Sequence, residues 1–452
     1  MTDPYHLSPS EWIWVSGLVL LITWEFIRAR FNRAAIAMFR PTLVLAVVLA
    51  YYTLIGPLRG IAVGEWFDRG LNMRADMVIG WAGAFFFYGS VLIGFYLIPT
   101  PRFDRRASLA HTPERLYRLG TRLCQVGLGM FALVTGPRVV ALINPFAARG
   151  LIDSFSEGVD AGGFDNYFLL ALNCLIPGLV LLWASWLSSQ RRLVPTLIWM
   201  VLTIGIFTTI GFRYRIVLAA VPLLLLWYLA RQKRPNLVVV TLAAAGLLFM
   251  AGFIGLTRKY GSGLDLAAVD GLNNAEILQA GYHEAHVFLT TSGMMAITPT
   301  INPFVGAQPL ISTAQFPIPS ALLPTKESNA YLLRSSETLF NSPTLGTGSA
   351  ILCYGEWFLM AGWPSLIGMS VLLGWLLRCL WKWFLRRDHE PLAQCCYVIA
   401  VTYLYVVVSR GYMPQVVMLF FFTVFPAFWL YGRWSVPEIP HALPPGSPLP
   451  RG

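Results

Sequence analysis

The chain has 452 residues, of which 56% are hydrophobic and 12% charged, and its mean hydropathy is +0.61. A soluble globular domain carries roughly 25% charged residues, so that class is excluded. The formal net charge of +11 would admit nucleic acid, but the basic residues stand at the ends of apolar runs. No nucleic acid is expected as a partner; the lipid bilayer is.

Apolar runs approaching the roughly 20 residues that a bilayer crossing needs recur along the chain. They predict an all-α polytopic membrane protein of about eleven transmembrane helices. Residues 1–10 lack a basic leader, so 12–27 reads as a retained first span and not a cleaved signal peptide. Spans follow at 41–56, 77–98, 123–142, 167–187, 194–210, 216–230 and 237–256, completing a region 1–256. Residues 257–347 contain no run long enough to cross. They are moderately apolar and rich in Pro, Ser and Thr, which predicts one large external loop folded down onto the helices, between spans eight and nine. The region 348–436 then carries spans at 358–380, 392–408 and 416–430, and the Pro-rich tail 437–452 reads as disordered. No internal repeat is present. The six cysteines fall in or beside spans without metal-site spacing, so they read as small buried apolar residues.

Alternating the spans puts the segments 28–40, 99–122, 189–193, 231–235, 378–390 and the carboxyl terminus on one side. These hold about two thirds of the 33 Lys and Arg residues, which the positive-inside rule assigns to the cytoplasm. The amino terminus and the long loop are then expected on the outer face of the membrane, and the carboxyl terminus inside.

On that topology the turn Gly211-Phe212-Arg213-Tyr214-Arg215, between spans six and seven, lies outside. Arg258 and Arg410 lie at outer span ends too. Snorkelling of long side chains at the interface is one reading. The sharper one is a cluster that binds a diphosphate, since the guanidinium fork suits phosphate oxygens and keeps its charge near lipid. Arg213 and Arg215 would diverge on a regular helix, so both reach one ligand only if Gly211 permits a non-helical turn.

The long loop supplies other chemistry. Residues 275–289 read as an amphipathic helix with His283, Glu284 and His286 on it. His283 and His286 share a face, but no third metal ligand stands at suitable spacing. His283, Glu284 or His286 is a candidate general base for a sugar hydroxyl, and a solvated helix face is the alternative. Lys326 and Arg334 follow. Glu356 precedes an apolar span and needs a partner, which Arg213, Arg334 or Arg410 is expected to supply.

Three stretches resemble the Wzy-type oligosaccharide repeat-unit polymerases of bacterial O-antigen and exopolysaccharide synthesis. Gly211-x-Arg213 is similar to that family's glycine–arginine turn. Phe316-Pro-Ile-Pro-Ser-Ala-Leu-Leu-Pro-Thr-Lys326 is similar to its "iPRxlwPxKP" segment, with Ser320 where the pattern has arginine and Glu327 where it ends in proline. Thr347 to Trp363, containing Tyr354-Gly-Glu356-Trp-Phe and Gly362, resembles its "GexYlnfGwxG" entry into a late span.

The resemblance implies a glycosyltransferase that polymerises undecaprenyl-diphosphate-linked oligosaccharide at the periplasmic face, with no metal or other cofactor. A separate chain-length regulator is a candidate partner. Arg213, Arg215, Arg410 and Arg258 would serve the diphosphate and His283, Glu284 or Glu337 the hydroxyl, with Glu356, Arg334 and Lys326 in support. An O-antigen ligase is the nearest rival, but Ser328-Asn329-Ala330-Tyr331 lacks a ligase's late histidine. A lipid-phosphate-sugar glycosyltransferase would use Glu65 and Asp68 of the first outer loop. A transporter would favour charges at span centres, which are nearly charge-free here. Chelators are expected to leave activity unchanged; inhibition reversed by zinc would restore the two-histidine metal reading.

Overall fold

The computed structural model describes residues 5–102, 112–136, 140, 142–143, 165–211, 213–259, 263–265, 271, 273–318, 322–323, 330–341 and 350–434. It is an all-α polytopic membrane protein; two short hairpins, Phe67–Asp68 with Leu71–Asn72 and Arg258–Lys259 with Gly263–Leu264, are the strands among the described residues. Nine helices there are long and apolar enough to cross a membrane: Pro9–Arg30, Pro41–Val63, Met77–Leu97, Tyr167–Ser189, Leu193–Ile210, Arg213–Ala230, Leu237–Thr257, Trp363–Leu385 and Pro391–Ser409.

The expected span 416–430 falls on a bent pair, Met413–Thr423 with Phe425–Arg433, which makes a tenth crossing if counted as one span; the bend is 42°. Pro426, near the start of its second half, offers no backbone N–H to continue the first. The expected span 123–142 is displaced toward the amino terminus: the helix there runs Pro113–Thr135, and its first half holds Arg115, Arg118 and Arg122. That helix lies antiparallel against Tyr167–Ser189. The Ser185 hydroxyl donates to the Pro113 carbonyl (2.6 Å), and a Cβ on Gly127 would stand 2.8 Å from the Ala171 carbonyl. It therefore runs the depth of a neighbouring span.

The expected span 358–380 divides as well. A short helix, Cys353–Ala361, stops at Gly362, whose φ of +73° and ψ of −144° few residues other than glycine adopt. The span proper begins at Trp363.

The two ends of the bundle differ in character. At one, Arg234 donates to the Arg30 and Asn32 carbonyls (3.2 and 2.6 Å), Arg378 to that of Ile98 (2.7 Å), and Arg192 stacks on Tyr117. The basic connectors thus meet. At the other end lie the Ser8–Glu11 capping box, the ion pair of Glu11 with Arg74, and the segments around residues 59–68, 211, 284 and 410.

The long loop does settle onto the helices, but not as one amphipathic helix. It forms Asn274–Tyr282, capped by a reciprocal Asn273–Glu276 pair, then a tight turn at His283–His286, then Val287–Ile297, which is almost wholly buried. Small residues permit this approach. A Cβ on Gly252 would lie 1.8 Å from the Ile277 carbonyl oxygen, and one on Gly56 would lie 2.1 Å from the Ala285 Cβ. Tyr51 donates its hydroxyl to the Gly281 carbonyl (2.8 Å) from a wide π-type turn at Tyr51–Ile55. The expected tail 437–452 and Lys326 lie outside the described residues.

Gly252→Leu is therefore expected to lift Asn274–Tyr282 off its span at a cost of about 1–3 kcal/mol. Hydrogen exchange in detergent would show faster exchange over 274–297, with the spans unchanged.

Candidate functional site

Gly211 ends the Leu193–Ile210 helix with φ +87°, and the next helix begins at Arg213. The turn is as tight as expected, but Arg215 is already inside the helix and turns away from Arg213. Arg213 faces the Leu237–Thr257 span: its Nη1 is 2.8 Å from Glu284 Oε1, and its guanidinium occupies the space a Cβ on Gly255 would fill. Its Nε is buried with no hydrogen-bond partner among the described residues.

Arg215 is completely buried; its Nε donates to Asn173 Oδ1 (3.1 Å), and its guanidinium lies near the Phe207 and Tyr214 rings. Asn173 is presented by a tightened turn at Ala171–Cys174, because Pro177 leaves the Asn173 carbonyl without its helical donor. The expectation that Arg213 and Arg215 both reach one ligand is thus corrected: Arg215 braces the bundle from below.

Arg410 takes its place. Its guanidinium stands 5.2 Å from the Tyr214 ring centroid. Burial works against the cation, but the Glu284 carboxylate, with Tyr214, Tyr405 and Tyr52, raises its pKa above the ordinary value. The Glu284 charge also reaches Tyr51, Tyr52 and Tyr405, and the Tyr52 and Tyr405 hydroxyls are hydrogen-bonded (3.1 Å). Glu284 is thus ion-paired with Arg213 and acts on Arg410 through its charge, beneath a tyrosine-rich roof.

The turn that carries Arg410 is fixed from outside. Gly411 N–H donates to the Ile351 carbonyl (2.6 Å), and Met413 N–H donates to both oxygens of Glu356 (2.9 and 3.1 Å). Tyr331, on the external helix Ala330–Phe340, donates its hydroxyl to the same carboxylate. The expectation that Arg213, Arg334 or Arg410 pairs with Glu356 is corrected accordingly. A carboxylate at the start of the Met413–Thr423 helix meets orphan N–H groups and the positive end of the dipole, so it needs no guanidinium.

The remaining candidates are more dispersed. His283 is exposed, with its ring 4.7 Å from that of His286. Burial and then His283 lower the His286 pKa, while Asp68 and Glu65, of the loop after the second span, oppose the shift. Glu337 and Arg334 are exposed on the Ala330–Phe340 helix. Arg258 begins a hairpin and its side chain lies outside the described residues. Glu65 pairs with Arg59 (3.3 Å), and Asp68 accepts from Thr290, so both tie loops together. No group of three or more metal-ligating side chains occurs among the described residues. Sequence reasoning missed the tyrosines and Asn173. Tyr51-Tyr52 and Tyr405 inside apolar runs were the available signal, since a buried hydroxyl seeks a partner.

No protein-family model matches the chain, and no solved structure matches it. A stretch of 134 residues is 28% identical to "Putative polyol transporter 1" of Arabidopsis thaliana, taking in 28% of this chain and 22% of that protein. The chain thus spans less than a quarter of the length of that relative.

Glu356 gives a pH test. It lies before the Trp363–Leu385 span, and burial raises its pKa from the usual 4.5 to about 7, against the lowering pull of Met413 and Tyr331. Between those values the folded protein holds a proton that the unfolded chain has released. Stability should therefore fall as pH rises from about 4.5 to about 7 and level off above. Glu356→Gln should flatten that slope in thermal unfolding measured in detergent.

Proposed function

We propose that the chain is a glycosyltransferase that joins lipid-diphosphate-linked oligosaccharide repeat units at the outer face of a bacterial inner membrane. The observation that carries this reading is the ion pair of Arg213 with Glu284 (2.8 Å), with the Arg410 cation within reach of the Glu284 charge, at the end of the bundle away from the basic connectors. The positive-inside rule assigns that end to the periplasm, with the amino terminus there and the carboxyl terminus in the cytoplasm.

A diphosphate would exchange for Glu284 as the partner of the two guanidiniums, whose donors suit phosphate oxygens. The sugar C1–oxygen bond to the diphosphate breaks, and the leaving charge is taken up by Arg213 and Arg410. The acceptor hydroxyl oxygen bonds to C1, and its proton passes to a base. Glu284, released from Arg213 by the incoming diphosphate, is the carboxylate nearest that role. Such exchange would leave the base masked until the donor is bound.

The separation of Arg215 from this pair narrows the diphosphate set to Arg213 and Arg410. Glu356, through Met413, and Tyr331 support the turn that presents Arg410. A transport reading has the match to the polyol transporter in its favour; uptake of labelled polyol by vesicles containing the purified protein would favour it over transfer.

Arg213→Ala should insert normally yet leave cells with single repeat units in place of long chains. Long chains persisting in that variant would remove Arg213 from the site. Glu284→Gln should lower transfer by about 10²–10⁴-fold while donor binding is kept or strengthened. Loss of donor binding in Glu284→Gln would instead make the carboxylate a structural strut.

A further inference from the structure

An apolar groove of about 660 Å³ opens on the flank of the bundle, between the Pro9–Arg30 and Met77–Leu97 spans. Leu21 and Trp24 line one side, Phe85, Ile93 and Tyr96 the other, and Gly89 leaves room between them. From Phe85 to Leu97 the helix rises about 18 Å, close to the hydrocarbon depth of one leaflet, roughly 15 Å. The groove runs toward the end where the basic connectors meet, away from Arg213.

At that end Arg28 lies over the two rings that close the groove, its guanidinium carbon 4.0 Å from the Tyr96 centroid and 5.2 Å from that of Trp24. Stacking occupies the faces of a guanidinium and leaves its N–H edges directed outward. The neighbouring Arg40 is differently placed: buried Glu25 stands 4.0 Å from it and accepts hydrogen bonds from Thr42 (2.5 Å) and Tyr96 (2.6 Å). Arg28 has no hydrogen bond or ion pair among the described residues. Arg28, Arg40 and Glu25 together leave one net positive charge at the groove's polar end.

We infer that this groove is a binding site for an anionic glycerophospholipid. One acyl chain lies along Gly89, and the phosphate meets the N–H edge of Arg28. A headgroup amine, as in a zwitterionic lipid, would oppose the guanidinium. The inference stands apart from the proposed transferase activity, since none of these residues belongs to the Arg213–Glu284–Arg410 group.

The test is native mass spectrometry of the full chain, extracted in mild detergent from membranes of phosphatidylglycerol and phosphatidylethanolamine. The unaltered protein should retain phosphatidylglycerol preferentially. Arg28→Gln keeps the groove and should keep a bound lipid while losing the anionic preference by about fivefold. Gly89→Leu fills the groove and should retain neither lipid. A Cβ there meets only Leu21 Cδ1, at 3.8 Å, so the helix has room for it. If Gly89→Leu fails to fold, Arg28→Lys, which keeps the charge, should hold most of the preference. An undiminished preference for phosphatidylglycerol in Arg28→Gln would overturn the inference. So would retention of a polyprenyl phosphate in place of the glycerophospholipid, which would make the groove a path for another lipid.

Discussion

The pairing of Glu284 with Arg213, and the reach of its charge to Arg410, bring together parts of the chain that are far apart in sequence. The carboxylate comes from the external segment, one guanidinium from the start of the Arg213–Ala230 span and the other from the turn before Met413. Near lipid, where water is scarce, an ion group of this kind is costly to leave incomplete. Each member therefore constrains the segment that carries it. The external segment must descend, the glycine turn must be short, and the Arg410 turn must hold its angle.

Those constraints are met by local chemistry of a simple sort. Glycines and alanine at the contacts let backbone approach backbone, so that Asn274–Tyr282 rests directly on Leu237–Thr257. A carboxylate at a helix start, Glu356, holds the Arg410 turn through main-chain N–H groups and not through another cation. The cations are thereby left for a common purpose. Arg215 is the exception that clarifies the rule: buried against Asn173, it stiffens the helix start whose first residue is Arg213.

Much of the architecture was legible in composition and spacing. Crossings are set by length and hydropathy, which a sequence displays directly, and the break at Gly211 follows from a glycine between two apolar runs. The errors share a cause. Pro113–Thr135 begins earlier than its apolar stretch because its arginine-bearing turns lie alongside a neighbouring span, a fact of packing. Glu356 was assigned to a guanidinium because charge is visible in a sequence, whereas the orphan N–H of Met413 is not. Arg215 was grouped with Arg213 on the condition of a non-helical turn after Gly211, but the helix starts at Arg213 itself and sends residues two apart in different directions. The tyrosine roof was overlooked because its members come from three separate spans.

The carbonyls that end the Cys353–Ala361 helix have a consequence for how such proteins diversify. Val305 and Gly306 N–H groups donate to the Leu359 and Met360 carbonyls (2.9 and 3.0 Å), just before the chain breaks at Gly362. The external segment thus completes the backbone of a helix that begins more than forty residues later. It is not a detachable module. Exchanging it for that of another protein would orphan main-chain groups at the lip of the bilayer, so recombination at this joint would be tolerated only if both sides travelled together.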